Sequence, residues 1–450
     1  MENTVFDLHH PVREYFRLAL PVVLSMIVTL VYNLADTWFI GSTNNPALVA
    51  GVSLCAPVFT LFMAFGNLFG QGGSSLISRY LGMGETEKVR SLSAWCFRSA
   101  ILGGGLLLVL GFPFSGTVLS FLGTDAGTLE FARSYYLVLL AGAPFILFSF
   151  VPSNLLRSEG LAMEAMTGTI LGAVVNIILD PLFISGLGLQ ALGAALATVI
   201  GYICTDLYFL WVLKNRSQLF SLSWKAAIIT PAERSQLLSI GFSAALANLT
   251  QSFSVIALNQ SLLPYGQDSI AAMGIVLKAI MIVQLVLVGF AFGGAPIYGY
   301  LYGGGHEERL RRLTRFVLFW MAGLGLGLSL PLVLLSPAVL ALFIQVPSII
   351  SQGALMLKWQ CAGLFLAGPV LFLTVLFQTT GQVVPSYVLA LSRQGILFLL
   401  VLWILQAALG YTGVLASQAL ADLISALLAL LLFHFRFHYA AAPRPSIQAS

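Results

Sequence analysis

Apolar runs of about 20 residues recur along the whole sequence, and they constrain the fold more than any other feature. A helix of about 20 apolar residues is what crosses a hydrocarbon core about 30 Å thick. Of the 450 residues, 58% are hydrophobic and 8% are charged, whereas an average soluble domain has about 25% charged residues. The sequence therefore excludes an ordinary soluble globular protein, and runs of this length also exclude a membrane β-barrel.

The runs predict an all-α integral membrane protein with twelve transmembrane helices. The first run follows a polar start that contains Asp7, Arg13 and Glu14 and continues at full membrane length, so we expect it to be retained as helix 1 rather than cleaved. An even number of spans puts both termini on one side of the membrane. The predicted spans are 16–40, 49–70, 94–116, 131–155, 162–184, 191–214, 236–260, 268–292, 314–337, 356–378, 384–408 and 411–436.

Basic residues gather in alternate loops and so predict the orientation, because short cytoplasmic loops carry the excess of Lys and Arg. Most of the 21 Lys and Arg lie at the termini or after even-numbered spans. The opposite loops contain Asp125, Glu130 and Asp268, with Arg133 and Lys358 only at helix starts. We expect both termini in the cytoplasm of a bacterial or archaeal cell, with the protein in the cytoplasmic (inner) membrane. The net charge of +4 reflects this bias and gives no reason to expect nucleic-acid binding.

An internal repeat divides the chain into two halves. GQGGSSLISRYLGMG resembles AFGGAPIYGYLYGGG at an offset of 221, which places Gly84 on Gly305 and Gly160 on Gly381. Since each half has an even number of helices, the halves insert with the same orientation, and a cavity between them is the expected site. The predicted domains are an N-terminal six-helix lobe (1–214), a cytoplasmic connector loop (215–235), a C-terminal six-helix lobe (236–436) and a cytoplasmic tail (437–450).

Ionisable residues inside the predicted spans are functional hypotheses, because a charge in lipid costs several kcal/mol. In the second half, Lys278, Arg393 and Asp422 have opposite charges, and we interpret them as structural partners. In the first half, Asp206 lies near the cytoplasmic end of helix 6 and is expected to snorkel or to bind an arginine of the following loop. The remaining first-half acids are Asp36 and Asp180.

Polar groups on helices 1, 5 and 6 are predicted to reach a similar depth in the outer half of the membrane. Asp36 lies about five residues, or ~8 Å of helical rise, from the external end of helix 1. Asp180 shares a face of helix 5 with Asn176, four residues earlier, and Thr198 lies on helix 6. If these groups converge, a desolvated carboxylate there could exchange a proton for a cation. The alternative is that Asn176, Asp180 and Thr198 hydrogen-bond neighbouring helices.

A substrate pocket is expected on the first-half helices as well. Asn33 shares the face of helix 1 that carries Asp36. Tyr136 and Asn154 could line an amphipathic pocket for flat cationic molecules, because aromatic faces attract positive charge.

Several catalytic motifs are absent from the sequence. There is no GxxxxGK[ST] phosphate loop, no HExxH helix and no paired DDxxD, so we expect no enzymatic activity and no cofactor. The cysteines lie in predicted spans without metal-ligand spacing, which gives no support for a disulfide framework or a zinc site. They are Cys55, Cys96, Cys204 and Cys361.

Four motifs together resemble the multidrug and toxic compound extrusion (MATE) transporters, over nearly the whole chain. They are NLADTWFIG, GQGGSSLISRYLGMG, NIILDPLFI followed by GLQALGAALAT, and LSRQGILFL. The resemblance implies two six-helix lobes and alternating access, with drug efflux exchanged for protons or sodium.

The resemblance is to the prokaryotic DinF-like or MepA-like branch, and it implies roles for particular residues. Asp36, Asn176, Asp180 and Thr198 fall on the positions of a first-lobe cation site, which would also hold sodium if sodium is the coupling ion. Another branch carries acids in the second lobe, but Ala257 occupies the position that repeats Asp36, so we expect no carboxylate coupling there. Near the first-lobe pocket positions of the family fall Asn154 and Tyr136, with Tyr135 an alternative to Tyr136.

These observations predict a monomeric secondary antiporter that exports amphipathic, cationic, drug-like compounds and whose other partners are membrane lipids. A lipid-linked oligosaccharide flippase of the same superfamily is the nearest rival function, and it would use cationic residues in the central cavity, for which only Lys278 and Arg393 are available. A membrane-embedded prenyl or acyl transferase is a rival of a different class, and a non-transporting sensor is a third.

Overall fold

The computed structural model describes residues 5–438, and nearly all of them are helical. Short 3-10 turns at Trp224–Ala226 and Leu263–Tyr265 join the main helices. The helices are α1 (Pro11–Ser42), α2 (Pro46–Leu54), α3 (Ala56–Met83), α4 (Thr86–Gly111), α5 (Ser115–Phe121), α6 (Leu129–Ser158), α7 (Ala162–Pro181), α8 (Gln190–Asn215), α9 (Pro231–Leu262), α10 (Gln267–Gly293), α11 (Ala295–Gly303), α12 (Glu307–Leu334), α13 (Ser336–Ala341), α14 (Pro347–Thr379), α15 (Val383–Arg393), α16 (Ile396–Leu409) and α17 (Tyr411–His438).

Twelve segments of the described chain are long and apolar enough to cross a membrane, which confirms the predicted number. Some spans are built from two consecutive helices. The break between α2 and α3 falls at Cys55, and Pro57 follows it; the break between α10 and α11 falls at Gly294, and Pro296 follows it. Because proline has no N–H to donate, it is tolerated in the first turn of a new helix and interrupts the preceding one.

The repeat predicted from the sequence is visible in the backbone. Gly84 (φ 77°) and Gly305 (φ 71°) are both left-handed, and so are Gly160 (φ 82°) and Gly381 (φ 75°). Each pair is separated by the predicted offset, and the short helices α5 and α13 begin at the same offset. Left-handed backbone is open to glycine without steric cost. The two halves therefore use the same helix-ending turns.

Packing divides the chain into two compact units. The units depart from the predicted division at 214 and 236 because the first part of α9 and all of α11 pack with the first six spans. From residue 439 on, the predicted tail lies outside the described residues. One unit contains the residues up to Ala245, Phe292–Arg311 and Thr379–Gly381; the other contains Leu246–Ala291, Arg312–Gln378 and the residues from Gln382 onward.

Helix α6 is the central helix of the first unit. It packs against α2, α3, α4, α7 and α8, and α7 in turn packs against α1 and α8. The second unit has its own apolar core, in which Val276, Met356, Phe398 and Val414 are fully or almost fully buried. The arrangement around α6 brings α1, α7 and α8 together, and these are the helices that carry the predicted cation site.

Candidate ion-coupling site

The close approach of α7 and α8 depends on two facing glycines. A Cβ at Gly172 would lie 2.0 Å from Thr205 Oγ1 and 2.8 Å from the Gly201 carbonyl oxygen, and a Cβ at Gly201 would lie 2.8 Å from the Gly172 carbonyl oxygen. The Thr205 hydroxyl donates to the Gly168 carbonyl at 3.1 Å and so ties the two helices together. Small residues let helix backbones approach closely in membranes. This contact sets the register of the polar groups one turn further along.

Those polar groups are Asn176, Asp180 and Thr198, which the structure brings into direct contact. Asn176 Nδ2 lies 3.4 Å from both Asp180 Oδ1 and Thr198 Oγ1. The amide makes its better set of hydrogen bonds when its nitrogen donates to Asp180 Oδ2 at 3.0 Å and its oxygen accepts from the Thr198 N–H at 3.1 Å. Asp180 is completely buried, and the other two are buried. The three side chains form one hydrogen-bonded group across α7 and α8.

Asp180 lies where α7 changes its winding. Pro181 follows it as the last residue of the helix, and a π-helical turn occupies Leu182–Gly186, closed by a bond of 2.8 Å from the Leu187 N–H to the Leu182 carbonyl. Proline has no N–H to continue the helical ladder, and single π turns are frequent at functional sites. The local sequence thus places a buried acid directly before an irregular turn.

Asp36 on α1 brings a second carboxylate to this group. Helix α1 packs along α7, and the charges of Asp36 and Asp180 are close enough to interact. Asp36 Oδ1 is buried and has no hydrogen-bond partner among the described residues. Two acids with an unsatisfied oxygen, next to an amide and a hydroxyl, form a set of oxygen donors that suits a proton or a hard cation.

Two tyrosines, Tyr32 and Tyr135, face this acid pair. The sequence analysis did not identify Tyr32, and it named Tyr135 only as the alternative to Tyr136. Tyr32 lies one helical turn before Asp36, and both Tyr32 and Tyr135 of α6 are within electrostatic range of Asp36 and Asp180. The spacing of four residues between Tyr32 and Asp36 was the available signal, since such residues share a helix face.

The comparisons with known proteins identify the family of this chain. The MatE family model matches residues 21–182 and 243–404, one segment in each half of the chain. The chain belongs to the MATE family. The same family was indicated by the sequence motifs, and that prediction is confirmed.

Relatives of this MATE protein are similar to it along almost their whole length. The multidrug export protein MepA of Staphylococcus aureus strain MRSA252 is 28% identical over 416 residues, which cover 92% of each chain. Among solved structures, a MATE protein in complex with MaD3S has a TM-score of 0.91 with 25% identity, covering 96% of this chain and 97% of that chain. A MOP-superfamily transporter from Pyrococcus furiosus has a TM-score of 0.90 at the same identity and coverage. The all-α architecture with twelve spans in two repeated six-helix lobes is thereby confirmed.

The residues predicted to bind substrate in this MATE protein are spread along α1 and α6. The Tyr136 hydroxyl donates to the Gly111 carbonyl at 3.2 Å, so it serves helix packing. Asn33 is exposed and donates to the Thr29 carbonyl at 2.8 Å. Asn154 is buried 18 residues further along α6 than Tyr136, a rise of about 27 Å. Its amide donates to a carbonyl of α6 at 2.7 Å and accepts from Arg157. Of the two neighbouring tyrosines, Tyr135 is the one beside the acids.

Asp206 on α8 is not placed as its position in the sequence suggested. Snorkelling or an arginine partner from the next loop was predicted, and this was wrong. Asp206 is only 4% exposed and accepts a hydrogen bond from Ser149 of α6. Its Oδ2 is buried without a partner among the described residues. The side chain faces the tightly packed α6–α8 contact, which the position of the residue along α8 does not reveal.

In the second unit, the predicted pairing of charges is confirmed in part. Arg393 Nε lies 3.0 Å from Asp422 Oδ1, and both residues are buried. Gln418 Nε2 donates to Asp422 Oδ1 at 3.0 Å and to the Arg393 carbonyl at 3.3 Å. The prediction that Lys278 joins this group was wrong, because Lys278 is exposed and makes no ion pair with the described residues. The Asp422 carboxylate is already satisfied by the Arg393 guanidinium and the Gln418 amide, so it does not need Lys278 as a partner.

Proposed function

We propose that this MATE protein is a secondary active efflux antiporter, which exports amphipathic, cationic compounds in exchange for protons or sodium by alternating access. The observation that carries the proposal is the acid pair of the first unit. Asp36 has a buried oxygen without a partner among the described residues and interacts electrostatically with the buried Asp180. Two like charges so placed in a membrane repel each other and are costly to bury. Binding of a proton or a cation by the pair is therefore favourable.

Ion binding would act through the hydrogen bonds between α1, α7 and α8. A proton on Asp36 or Asp180 turns an acceptor into a donor and removes the repulsion between the two carboxylates. The Asn176 amide and the Thr198 hydroxyl would then redistribute their hydrogen bonds with Asp180. Since α1 packs directly on α7, its position depends on the charge of this pair, and a shift of α1 would release a substrate to the outside.

Sodium would be held by the same oxygen atoms. The carboxylates of Asp36 and Asp180, the amide oxygen of Asn176 and the hydroxyl of Thr198 are the donors on hand. A bound sodium ion would supply the same neutralising charge as a proton. The residue types serve either ion.

Support for drug-like substrates comes from the relatives, which are named multidrug export proteins. Cationic character follows from exchange at an acidic site and from the aromatic rings near it, which attract positive charge. Asn33, Tyr136 and Asn154 remain the residues predicted to contact substrate, and Tyr135 joins them because of its place beside Asp36.

The flippase function is disfavoured by the charges of the second unit. A pyrophosphate carrier needs free cations, and Arg393 is already neutralised by Asp422. Of the two basic residues available to bind a pyrophosphate, only Lys278 therefore remains. We also propose that the protein is a monomer without enzymatic activity, with both termini in the cytoplasm, in which the lobes 1–214 and 236–436 move as the alternating elements.

The test is ethidium transport by the purified protein in proteoliposomes, with a pH gradient and a sodium gradient imposed separately. We expect one of the two gradients to drive ethidium against its own gradient. If neither gradient supports transport while a fluorescent lipid-linked sugar is flipped, the flippase replaces the antiporter.

A further inference from the structure

Asp206 is a buried acid that the proposed coupling site does not use. Its Oδ1 accepts a hydrogen bond from Ser149, and its Oδ2 is buried with no partner among the described residues. An ionised carboxylate in such a place has to be compensated by a positive charge or by several hydrogen bonds. The structure supplies one hydrogen bond.

The groups that face Asp206 are neutral. From α6 the facing group is the Ser149 hydroxyl, and on α8 itself it is the Tyr202 side chain. The neighbouring Thr205 hydroxyl lies 3.1 Å from a carbonyl oxygen of α7 and from one of α8, so its single proton is already shared between these acceptors. On the neighbouring α7, Gly168 and Gly172 pack against Phe209, Thr205 and Gly201 of α8 and bring no charged side chain to this contact. In the described part of the chain, no lysine or arginine forms an ion pair with Asp206.

Polar side chains lie in a line along α8 between Asp206 and the Asp36–Asp180 pair, which we call the outer acid pair. Thr198, Tyr202 and Asp206 follow one another at intervals of four residues on α8, so they share a face and cover about 12 Å of helical rise. Thr198 is part of the hydrogen-bonded group with Asn176 and Asp180. The first end of the line is therefore the proposed coupling site, and the other end is Asp206.

Tyr202 occupies the middle of this line. Its ring is held between Phe59 of α3, at 6.2 Å between ring centroids, and Phe150 of α6, at 6.3 Å. The phenol interacts electrostatically with Tyr32 and Tyr135, which face the outer acids, as well as with Asp206. A hydroxyl placed between the Asp36–Asp180 pair and Asp206 has the chemistry of a proton relay, because it can accept and donate a hydrogen bond at the same time.

We propose that Asp206 is a second, inner proton-binding site, which exchanges protons with the Asp36–Asp180 pair through the Tyr202 hydroxyl. With the proposed orientation, Asp206 lies on the cytoplasmic side of that pair. A protonated outer acid gives its proton to the Tyr202 oxygen while the original Tyr202 proton passes to Asp206 Oδ2. The hydroxyl ends neutral, and the negative charge moves from Asp206 to the outer acid. This inference rests on the proposed function and restricts the coupling ion to the proton.

A first experiment measures the protonation of Asp206 directly, in the full-length protein reconstituted in lipid. The infrared stretching band of protonated carboxyl groups is recorded over a range of pH for the wild type and for Asp206→Asn. The variant keeps an acceptor for Ser149 and changes only the ionisable group. We expect the variant to lose part of the band at neutral pH, whereas the matched control Asp125→Asn, an exposed loop acid, leaves the band at neutral pH unchanged. A band that is identical in the wild type and Asp206→Asn at neutral pH would overturn the proposal.

A second experiment measures transport by the same proteins. We expect Asp206→Asn and Tyr202→Phe to slow ethidium accumulation driven by a pH gradient by about 10-fold or more, since a positioned proton-transfer group contributes at least that much. Counterflow of labelled against unlabelled ethidium without a gradient should stay within about 2-fold of wild type, because it requires no net proton transfer. Tyr202→Phe retains both the acid and the ring packing, so it reports on the relay even if Asp206→Asn folds poorly.

The outcomes separate this inference from the function on which it rests. Wild-type protein that fails to transport under any ion gradient contradicts the antiporter itself. A wild type driven by sodium alone leaves the antiporter intact and overturns the inner proton site. Full pH-driven transport by both Asp206→Asn and Tyr202→Phe also overturns the inner proton site and assigns Asp206 a structural role.

Discussion

The contact between α7 and α8 predicts a measurable effect of a single methyl group. Gly172→Ala places a carbon 2.0 Å from Thr205 Oγ1 and 2.8 Å from the Gly201 carbonyl oxygen, although such contacts are normally about 3.3 Å or longer. Rotation of Thr205 relieves only the first of these contacts, because the second involves backbone. Moving the second contact from 2.8 Å to about 3.3 Å requires the helices to separate by roughly 0.5 Å.

The expected cost follows from two opposing effects. Overpacking of this kind costs about 1–3 kcal/mol, and alanine in place of glycine inside a helix returns about 0.5–1 kcal/mol. We expect Gly172→Ala to lower the free energy of unfolding by about 1–2 kcal/mol. Because α7 then moves away from α8, the hydrogen bonds of Asn176 with Thr198 lengthen and gradient-driven transport falls.

The assay is denaturant unfolding of the purified protein in detergent, with ethidium transport measured in parallel. Gly105→Ala is the matched control, because Gly105 belongs to the same unit and a Cβ there meets nothing within 4 Å. The Gly105→Ala variant should be as stable as the wild type or more stable by about 0.5–1 kcal/mol. Adding Thr205→Ala to Gly172→Ala should restore part of the loss. Equal stability of the Gly172→Ala and Gly105→Ala variants would refute the close packing of these helices.

Three further predictions concern other parts of the molecule. Asp422→Ala leaves the buried Arg393 guanidinium without its carboxylate and should cost about 3–5 kcal/mol in denaturant unfolding; no loss would mean that the pair is not formed. Tyr136→Phe removes the hydrogen bond to the Gly111 carbonyl and should cost about 0.5–1.5 kcal/mol in denaturant unfolding. It should slow transport less than Tyr135→Phe does, because Tyr135 is the tyrosine beside the acids; the reverse order would make Tyr136 the main contact of the pocket. Asp125 accepts hydrogen bonds from the threonine three residues further on, which lowers its pKa. The carboxylate therefore stabilises the fold above its unfolded-state pKa, and the effect disappears as the pH falls through the folded-state pKa. The unfolding temperatures of wild type and Asp125→Ala should differ at neutral pH and converge in acid; parallel curves would contradict this.

The spans and the repeat could be predicted from the sequence because the membrane imposes them. Bilayer thickness fixes the length of each apolar run, and a duplicated chain keeps glycine where the backbone must be left-handed, as at Gly84 and Gly305. The grouping of Asn176 with Asp180 was predictable from their spacing of four residues. Thr198 could be assigned to the same group because the order of the spans places it at the same depth in the membrane as Asp180.

The features that sequence reasoning missed depend on how helices are rotated and packed. Ser149 and Asp206 are far apart in sequence and meet only through the α6–α8 contact. Tyr135 and Tyr136 differ by about 100° around a helix, and α6 is covered by neighbours on several sides, so its apolar pattern does not choose between them. Lys278 was assigned to a charge cluster by sign alone, although one arginine and one glutamine already satisfy Asp422.

The acids of the first unit are the centre of the account, and their neutralisation tests it most directly. The measurement is gradient-driven ethidium efflux by Asp36→Asn and Asp180→Asn in proteoliposomes, with Asp125→Asn as the exposed control. We expect each of the first two variants to lose about 10-fold or more of the gradient-driven rate while the control keeps it. Full ion-coupled efflux by Asp36→Asn and Asp180→Asn would contradict the account.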